Sequence, residues 1–378
     1  MDRIYMDWAA SAPLCAEALE AMMPYLRGVW GNASSIHSFG REARRAIEDA
    51  REEIASFIGA QPDEIFFTSG GTESDNWAVT CGAESLGADG RVLTSPIEHH
   101  AVLNACAALQ SRGVPVRFVA CDRLGRVDPE EIRESGFGPQ LVSVMTANNE
   151  IGTLEPIDAI GAICREKNWL FHTDAVQAVG AVPVNVKQSG ADLLSASAHK
   201  FGGPKGVGFL FIRRGVKLSP LLRGGAQEHE KRAGTENTAG IVGMAAALRR
   251  AQGKLRDREK LTSLRNEMQR EILRRIPDTF PNGDMEQRLP GNLNLRFAGA
   301  DAEALMLRLD LRGVAVSAGA ACASGTPEVS HVLRAIGLSE KEARECLRFS
   351  LSEENTREEI EKVIAFLAED AAQIRHTA

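Results

Sequence analysis

Residues 192–206 read DLLSASAHKFGGPKG, and the run VGFLFI follows at 207–212. A short, mostly apolar run ends in a lysine, a loop of glycine and proline turns, and a second apolar run begins. Runs of this length bounded by turn residues read as strands, and a near-continuous apolar character points to burial on both faces. Lys200 stands just past the first strand, an unusual place for a lysine whose only task is solvation. A lone lysine at a strand end is nevertheless more often a solvated one. An amine held in a partly desolvated site can instead form a Schiff base with a carbonyl cofactor.

Working outward, further strand-like runs occur at EIFFT (64–68), RVLTS (91–95), VRFVA (116–120), LVSVMTA (141–147) and WLFHTDA (169–175). Between most of them lie amphipathic stretches. The stretch from Gly40 to Ile58 carries Ile47, Ala50, Ile54 and Phe57 or Ile58 at helical spacing, and Ile157 to Lys167 is another such stretch. Strands alternating with helices imply crossover units, hence an α/β fold with a mainly parallel sheet covered on both faces. Thr72, His99, Asn149, Asp174 and Lys200 each follow the carboxyl end of a different strand, the edge where open parallel sheets bind ligands.

A helical stretch from about Ala239 to Arg275, mildly interrupted at Gly253, reads as a connector. After it comes a smaller α+β unit: NLNLRF (292–297), a helix from Ala302 to Leu311, VAVSA (314–318), a helix near Val329 to Ile336, CLRFSL (346–351) and a last helix to about Ile374. This divides the chain into a large unit, 15–255, and a small one made of 1–14 and 256–378.

The 378 residues carry a formal charge of −7, with 44% hydrophobic and 25% charged residues. That balance argues against nucleic acid or an anionic membrane surface as the main partner, while leaving room for a small cationic pocket. No run of about 18 apolar residues occurs, so no membrane span is expected. The start, MDRIYMDWAASAP, lacks the features of a signal peptide, and a cytoplasmic location is the simple expectation. Seven cysteines without paired spacing read as reduced thiols, with no disulfide framework or metal site. Cys81, Cys106 and Cys164 fall in apolar helical stretches and read as core residues.

TSGGTESDN (68–76) runs from a strand through glycines into a helix whose first turn holds Gly71 and Thr72. Free N–H groups and the helix dipole there favour a phosphate, although ordinary capping uses the same residues. The Walker lysine and the spacing of a dinucleotide fingerprint are absent. Ser197 and His199 flank Lys200 and can add hydrogen bonds to a phosphate. In HTDAVQ (172–177), Asp174 is either a helix cap or the carboxylate that keeps a pyridinium nitrogen protonated. Gln177 is in reach of a phenolic oxygen. His99 in IEHHAV is either a cap or a ring that stacks on a planar cofactor. A phosphate cup, a lysine and an acid at one sheet edge together fit pyridoxal phosphate. Cys322, in the small-residue stretch VSAGAACASGTPE, is a candidate nucleophile or a bystander thiol. Arg348, alternating with Leu347 and Phe349, suits bidentate capture of a carboxylate or a surface ion pair.

The blocks YMDWAAS, GNASSIHSFGREA, FFTSGGTESDN, IEHHAV, ANNEIGTLEPI, HTDAVQAVG, SASAHKFGGPKGVG, GTEN, SAGAACASG, HVLRAIGL and LRFSL, in this order along nearly the whole chain, resemble the NifS/IscS-like cysteine desulfurases of the class V aminotransferase group. The resemblance implies the pyridoxal-phosphate-dependent transferase fold (aspartate aminotransferase-like), with a seven-stranded, mainly parallel sheet in the large domain and a smaller α+β domain. It implies that L-cysteine becomes L-alanine while its sulfur passes to Cys322 as a persulfide. Lys200 matches the lysine bound to the cofactor, with Gly71, Thr72, Ser197 and His199 at phosphate positions. Thr235 matches a threonine that reaches the neighbouring subunit's phosphate, which implies a homodimer. His99 matches the stacking histidine, Asp174 the pyridinium partner and Gln177 the phenolate partner. Asn149, Arg348 and, more weakly, Asn32 match residues near the substrate. The implied acceptor is an iron–sulfur scaffold or another sulfur-acceptor protein, and Cys322 is a possible transient iron–sulfur ligand.

The chain departs from the family pattern in GGAQEHEKRAGTEN, where Ala226 replaces a glycine and His229 and Glu230 replace arginine and glycine; Ala323 stands where threonine is common. Other class V activities, such as selenocysteine lyase, and a non-catalytic sulfur-carrier or assembly scaffold are the competing readings.

Overall fold

The computed structural model describes residues 3–136, 138–318 and 329–377. Its strands are β1 (Ile4–Tyr5), β2 (Ile65–Thr68), β3 (Arg91–Thr94), β4 (Val116–Phe118), β5 (Gln140–Ser143), β6 (Leu170–Asp174), β7 (Leu193–Ser197), β8 (Gly208–Ile212), β9 (Thr279–Asn282), β10 (Asn292–Phe297), β11 (Val314–Ala315) and β12 (Cys346–Ser350).

Seven of them form one sheet in the order β2-β8-β7-β6-β5-β3-β4. The strands β4, β3, β5, β6 and β7 run parallel, while β8 lies antiparallel to both β7 and β2. The expected seven-stranded, mainly parallel sheet is therefore present. Its central strands are buried on both faces because helices cover both. On one face Ile47, Ile54 and Ile58 of the helix Ser38–Ile58 pack with Phe67, Phe209 and Phe211. Opposite, Trp77, Val102 and Cys106 pack with Leu141, Leu193 and Leu210. Each such buried large side chain contributes roughly 1.5–3 kcal/mol. The edge strand β4 is mostly exposed.

The chain places β4 on one side of β3 and β5 on the other, so the sheet changes direction there. A crevice opens outside the carboxyl ends of strands at such a reversal. His99 follows β3 and Asn149 follows β5 at that point.

Helices Thr238–Lys254 and Arg258–Arg275 meet at a short turn over Leu255–Asp257. The interruption falls there and not at Gly253, because a single glycine lowers helix propensity by about 1 kcal/mol without breaking a helix. Beyond the connector, β12, β10 and β9 form an antiparallel sheet and β1 pairs with β11. A separate core of Met6, Leu293, Leu295, Phe297, Leu347, Phe349, Val363 and Leu367 lies under that sheet. Two strands escape the sequence reading. β9 carries Pro281 and the half-exposed Phe280, as an edge strand does, and β1 is only two residues long. No helix among the described residues is long and apolar enough to cross a membrane.

Candidate active site

Lys200 closes a 3-10 turn, Ala198–Lys200, directly after β7. Its amine donates to the carbonyl oxygens of Ala9 at 2.7 Å and Ala10 at 2.9 Å. Burial, with the nearby Arg348 guanidinium, pushes the amine down to about 8. A substantial neutral fraction near neutral pH is what a nucleophilic amine requires. The Gln177 amide nitrogen donates to the same Ala9 oxygen at 2.9 Å. His199 lies beside the Ser11 hydroxyl at 3.3 Å, and Ala12 N–H donates to the His199 carbonyl. Residues 9–12 thus form a strap over the lysine turn, a feature that the sequence reading missed.

The loop between β2 and the next helix is the expected anion cup. Gly70 has φ +147°, a conformation that favours glycine, and a Cβ built on Gly71 would lie 2.7 Å from Val176 Cγ2. The Ser197 side-chain oxygen stands 3.4 Å from where a Gly70 side chain would begin. The cup is therefore lined by backbone, the Ser197 hydroxyl and the start of the helix Gly71–Asn76 with Thr72 exposed in its first turn. First-turn N–H groups have no acceptor within their own helix.

Asp174 ends β6 and is buried, and its carboxylate accepts a hydrogen bond from Val176 N–H at 2.8 Å. Burial raises its pKa, with the neighbouring His99 working against that rise, and burial lowers the pKa of His99 itself. His99 caps the helix His100–Ser111, its Nδ1 accepting from Ala101 N–H at 3.1 Å. That bond puts the proton of the neutral ring on Nε2. The capping reading and the ring-stacking reading are compatible, since the cap uses one ring edge and leaves a face.

Behind Asp174 the sequence reading overlooked a buried polar layer. His172, two residues earlier on β6, is held by the Ser143 hydroxyl at 2.8 Å and the Ser195 hydroxyl at 3.0 Å. Burial pushes His172 down to about 3, so it is neutral. Burial raises Asp75 well above the carboxylate range and pushes Glu98 up to about 8. The signal available in the sequence was the polar alternation Ser143, His172 and Ser195 within otherwise apolar strands.

Arg348 is not a surface ion-pair residue. It is 4% exposed, with both faces of β12 buried. Its two terminal nitrogens donate to the Asn149 carbonyl at 2.9 Å and to Asp7 Oδ1 at 2.8 Å. The structure so brings Lys200, Asp174, Gln177, His99, Asn149 and Arg348 to one edge. Thr235 is exposed and does not join them. Asn32 is also exposed, its Oδ1 accepting from Ser34 N–H at 2.8 Å, with no hydrogen bond to the others. Cys322 lies outside the described residues.

The six described cysteines are unpaired. Burial pushes the thiols of Cys106, Cys164 and Cys346 up to about 12 and that of Cys121 to about 11, and raises Cys15 and Cys81 as well. None of these offers a thiolate near neutral pH.

The residue set fits pyridoxal phosphate. The cup has room only where glycine leaves it, the Asp174 carboxylate has no side-chain donor among the described residues, and the Lys200 amine is held desolvated.

The sequence matches the family model described as aminotransferase class-V over residues 4–363. The protein described as cysteine desulfurase IscS from Dictyoglomus turgidum is 49% identical over 375 residues, 98% of this chain and 95% of that one. A solved structure described as a NifS-like protein superposes with a TM-score of 0.92 at 36% identity, covering 98% of this chain and 100% of that one. Another, described as SspA in complex with cysteine, has a TM-score of 0.81 at 34% identity, covering 92% and 98%. The cofactor of such proteins is pyridoxal phosphate. With the sheet, the lysine turn and the anion cup all in place, the chain belongs to the class-V aminotransferase family, among its cysteine desulfurases.

Proposed function

We propose that the protein converts L-cysteine to L-alanine and passes the sulfur, through Cys322, to an acceptor protein. The observation that carries this reading is a desolvated Lys200 amine that feels the charge of the buried Arg348 guanidinium, a pairing suited to an α-amino acid.

Gly71, Thr72, Ser197 and His199 would hold the phosphate, Asp174 the ring nitrogen, Gln177 the phenolic oxygen and His99 the ring face. Pyridoxal phosphate, when bound, withdraws electrons from the substrate's α-carbon and so loosens its Cβ–Sγ bond. Arg348 and Asn149 orient the substrate carboxylate. The Lys200 amine takes the Cα proton and later returns a proton to carbon. The Cys322 thiolate attacks the substrate sulfur as the Cβ–Sγ bond breaks. The sulfur is left bonded to Cys322 as a persulfide, and the electron pair and a proton end on the methyl carbon of alanine. The sum is cysteine plus thiol giving alanine plus persulfide, with no outside oxidant. Cys322 is supported as the thiolate because burial raises the pKa of every described cysteine.

Thr235 would reach the phosphate of a second copy, and its exposure supports a homodimer. The division into units 15–255 and 1–14 with 256–378 is supported by the separate core under β10 and β12. Unpaired cysteines support a reducing, cytoplasmic setting. The acceptor would be an iron–sulfur scaffold or another sulfur-accepting protein.

The test is to incubate the cofactor-loaded protein with cysteine and a thiol reductant and to measure alanine and sulfide, with selenocysteine in parallel. Equal alanine and sulfide are expected; absence of alanine overturns the reading.

A further inference from the structure

Arg348 is locked before any substrate arrives. Its backbone N–H donates to the Ser317 carbonyl at 2.7 Å, and β10 lies on the other side through the Asn294–Arg348 pair. Only the side chain has freedom, and two bonds remove it. One terminal nitrogen donates to the Asn149 carbonyl, the other to Asp7 Oδ1. Nε is buried without a partner, so the guanidinium meets the pocket through its terminal nitrogens. Each terminal nitrogen carries two hydrogens. With one hydrogen of each already bonded, one N–H on each remains for a further acceptor.

Asp7 is itself held firmly. It bridges to Ser350, two residues along the same strand from Arg348. Ser350 N–H donates to the Met6 carbonyl at 2.8 Å, and Ala9 N–H donates to the Ser350 hydroxyl at 2.9 Å. The Asp7 side chain is 21% exposed, against 5% for Arg348. The Asp7 carboxylate is thus the more accessible partner of the pair.

We propose that Asp7 is a positioning residue for substrate recognition, holding the Arg348 guanidinium so that one N–H of each terminal nitrogen faces the substrate's carboxylate. The inference rests on the reading of Arg348 as the carboxylate-binding residue. Without Asp7 the guanidinium can rotate about its last torsions, and the substrate must order it on binding. Two residues after Asp7 begins the strap whose Ala9 and Ala10 carbonyls accept from the Lys200 amine, so one segment sets both the carboxylate end and the amine end of the site.

The experiment uses the cofactor-loaded protein and two probes with half of cysteine's functionality. One is 3-mercaptopropionate, which has the carboxylate and no amine; the other is cysteamine, which has the amine and no carboxylate. In Asp7→Asn, KM for cysteine and the inhibition constant of 3-mercaptopropionate rise about ten-fold, the scale of one lost charge-assisted contact. The turnover number and the spectral response to cysteamine stay within about three-fold. Retention of the visible cofactor band shows that the variant is folded, and Asp7→Ser serves if Asp7→Asn does not load. Equal weakening of both probes, or an unchanged constant for 3-mercaptopropionate while Arg348→Gln loses it, overturns the role of Asp7 alone. An unchanged constant in Arg348→Gln removes the underlying reading and the role of Asp7 with it.

Discussion

The Lys200 amine and the Ala9 carbonyl oxygen stand 2.7 Å apart across 191 residues of sequence. Through this contact the N-terminal strap becomes a wall of the candidate active site. A carbonyl acceptor favours the ammonium form, while burial opposes it, and burial wins: the amine is pushed down to about 8.

This balance predicts a pH dependence of stability in the cofactor-free protein. A lysine in the unfolded chain titrates near 10.5, and Lys200 in the fold near 8. Between those values the unfolded chain keeps a proton that the folded chain has released. The destabilisation is complete below pH 8 and is relieved as pH rises from 8 to 10.5. The stability difference between the parent and Lys200→Met should therefore move in the parent's favour across that window in denaturant titrations. A flat difference would contradict the burial of the amine.

Glu98 predicts the opposite trend. Its folded value is about 8 against an ordinary 4.5, so the folded chain holds the extra proton between them. Its favourable contribution is present below pH 4.5 and is lost as pH rises to 8. Glu98→Gln should match the parent in mild acid and exceed it increasingly as pH approaches 8, as read from thermal midpoints. A variant advantage that shrinks with rising pH would contradict this.

Glu230 lies at the end of three consecutive non-glycine residues with positive φ: Glu228 at 47°, His229 at 54° and Glu230 at 63°. Left-handed backbone costs an ordinary residue roughly 1–2 kcal/mol, part of which glycine loses again in the unfolded chain. Glu230→Gly should stabilise the protein by up to about 1 kcal/mol in chemical unfolding. A loss of stability would show that the Glu230 side chain itself matters.

The same turn is pinned by Glu228, whose carboxylate meets both terminal nitrogens of the buried Arg51 at 2.9 Å and accepts from Phe67 N–H at 2.8 Å. Removing one partner of such a pair leaves a buried charge and costs about 3 kcal/mol or more. Glu228→Gln should lose that much in denaturant unfolding. A loss under about 1 kcal/mol would mean that Glu48, at 3.2 Å from Arg51 Nε, is a sufficient counter-charge.

The sheet and its ligand edge were legible in the sequence because buried strands are short apolar runs and their polar residues fall just past the ends. Lys200 and Asp174 stand out for that reason. Asp7 does not, since nothing local distinguishes it and its partner Arg348 is 341 residues away. Arg348 itself looked half-exposed by alternation, yet its side chain is buried against the Asn149 carbonyl and the Asp7 carboxylate. Thr235 shows the converse case: its expected role needs a second copy, and within one chain it stands exposed.

The most direct test of sulfur transfer is mass spectrometry of the cofactor-loaded protein after a brief exposure to cysteine, without reductant. The mass of one additional sulfur atom on the peptide containing Cys322 is predicted for the parent and none for Lys200→Ala. Absence of the added mass in the parent, or its equal appearance in Lys200→Ala, would contradict the account.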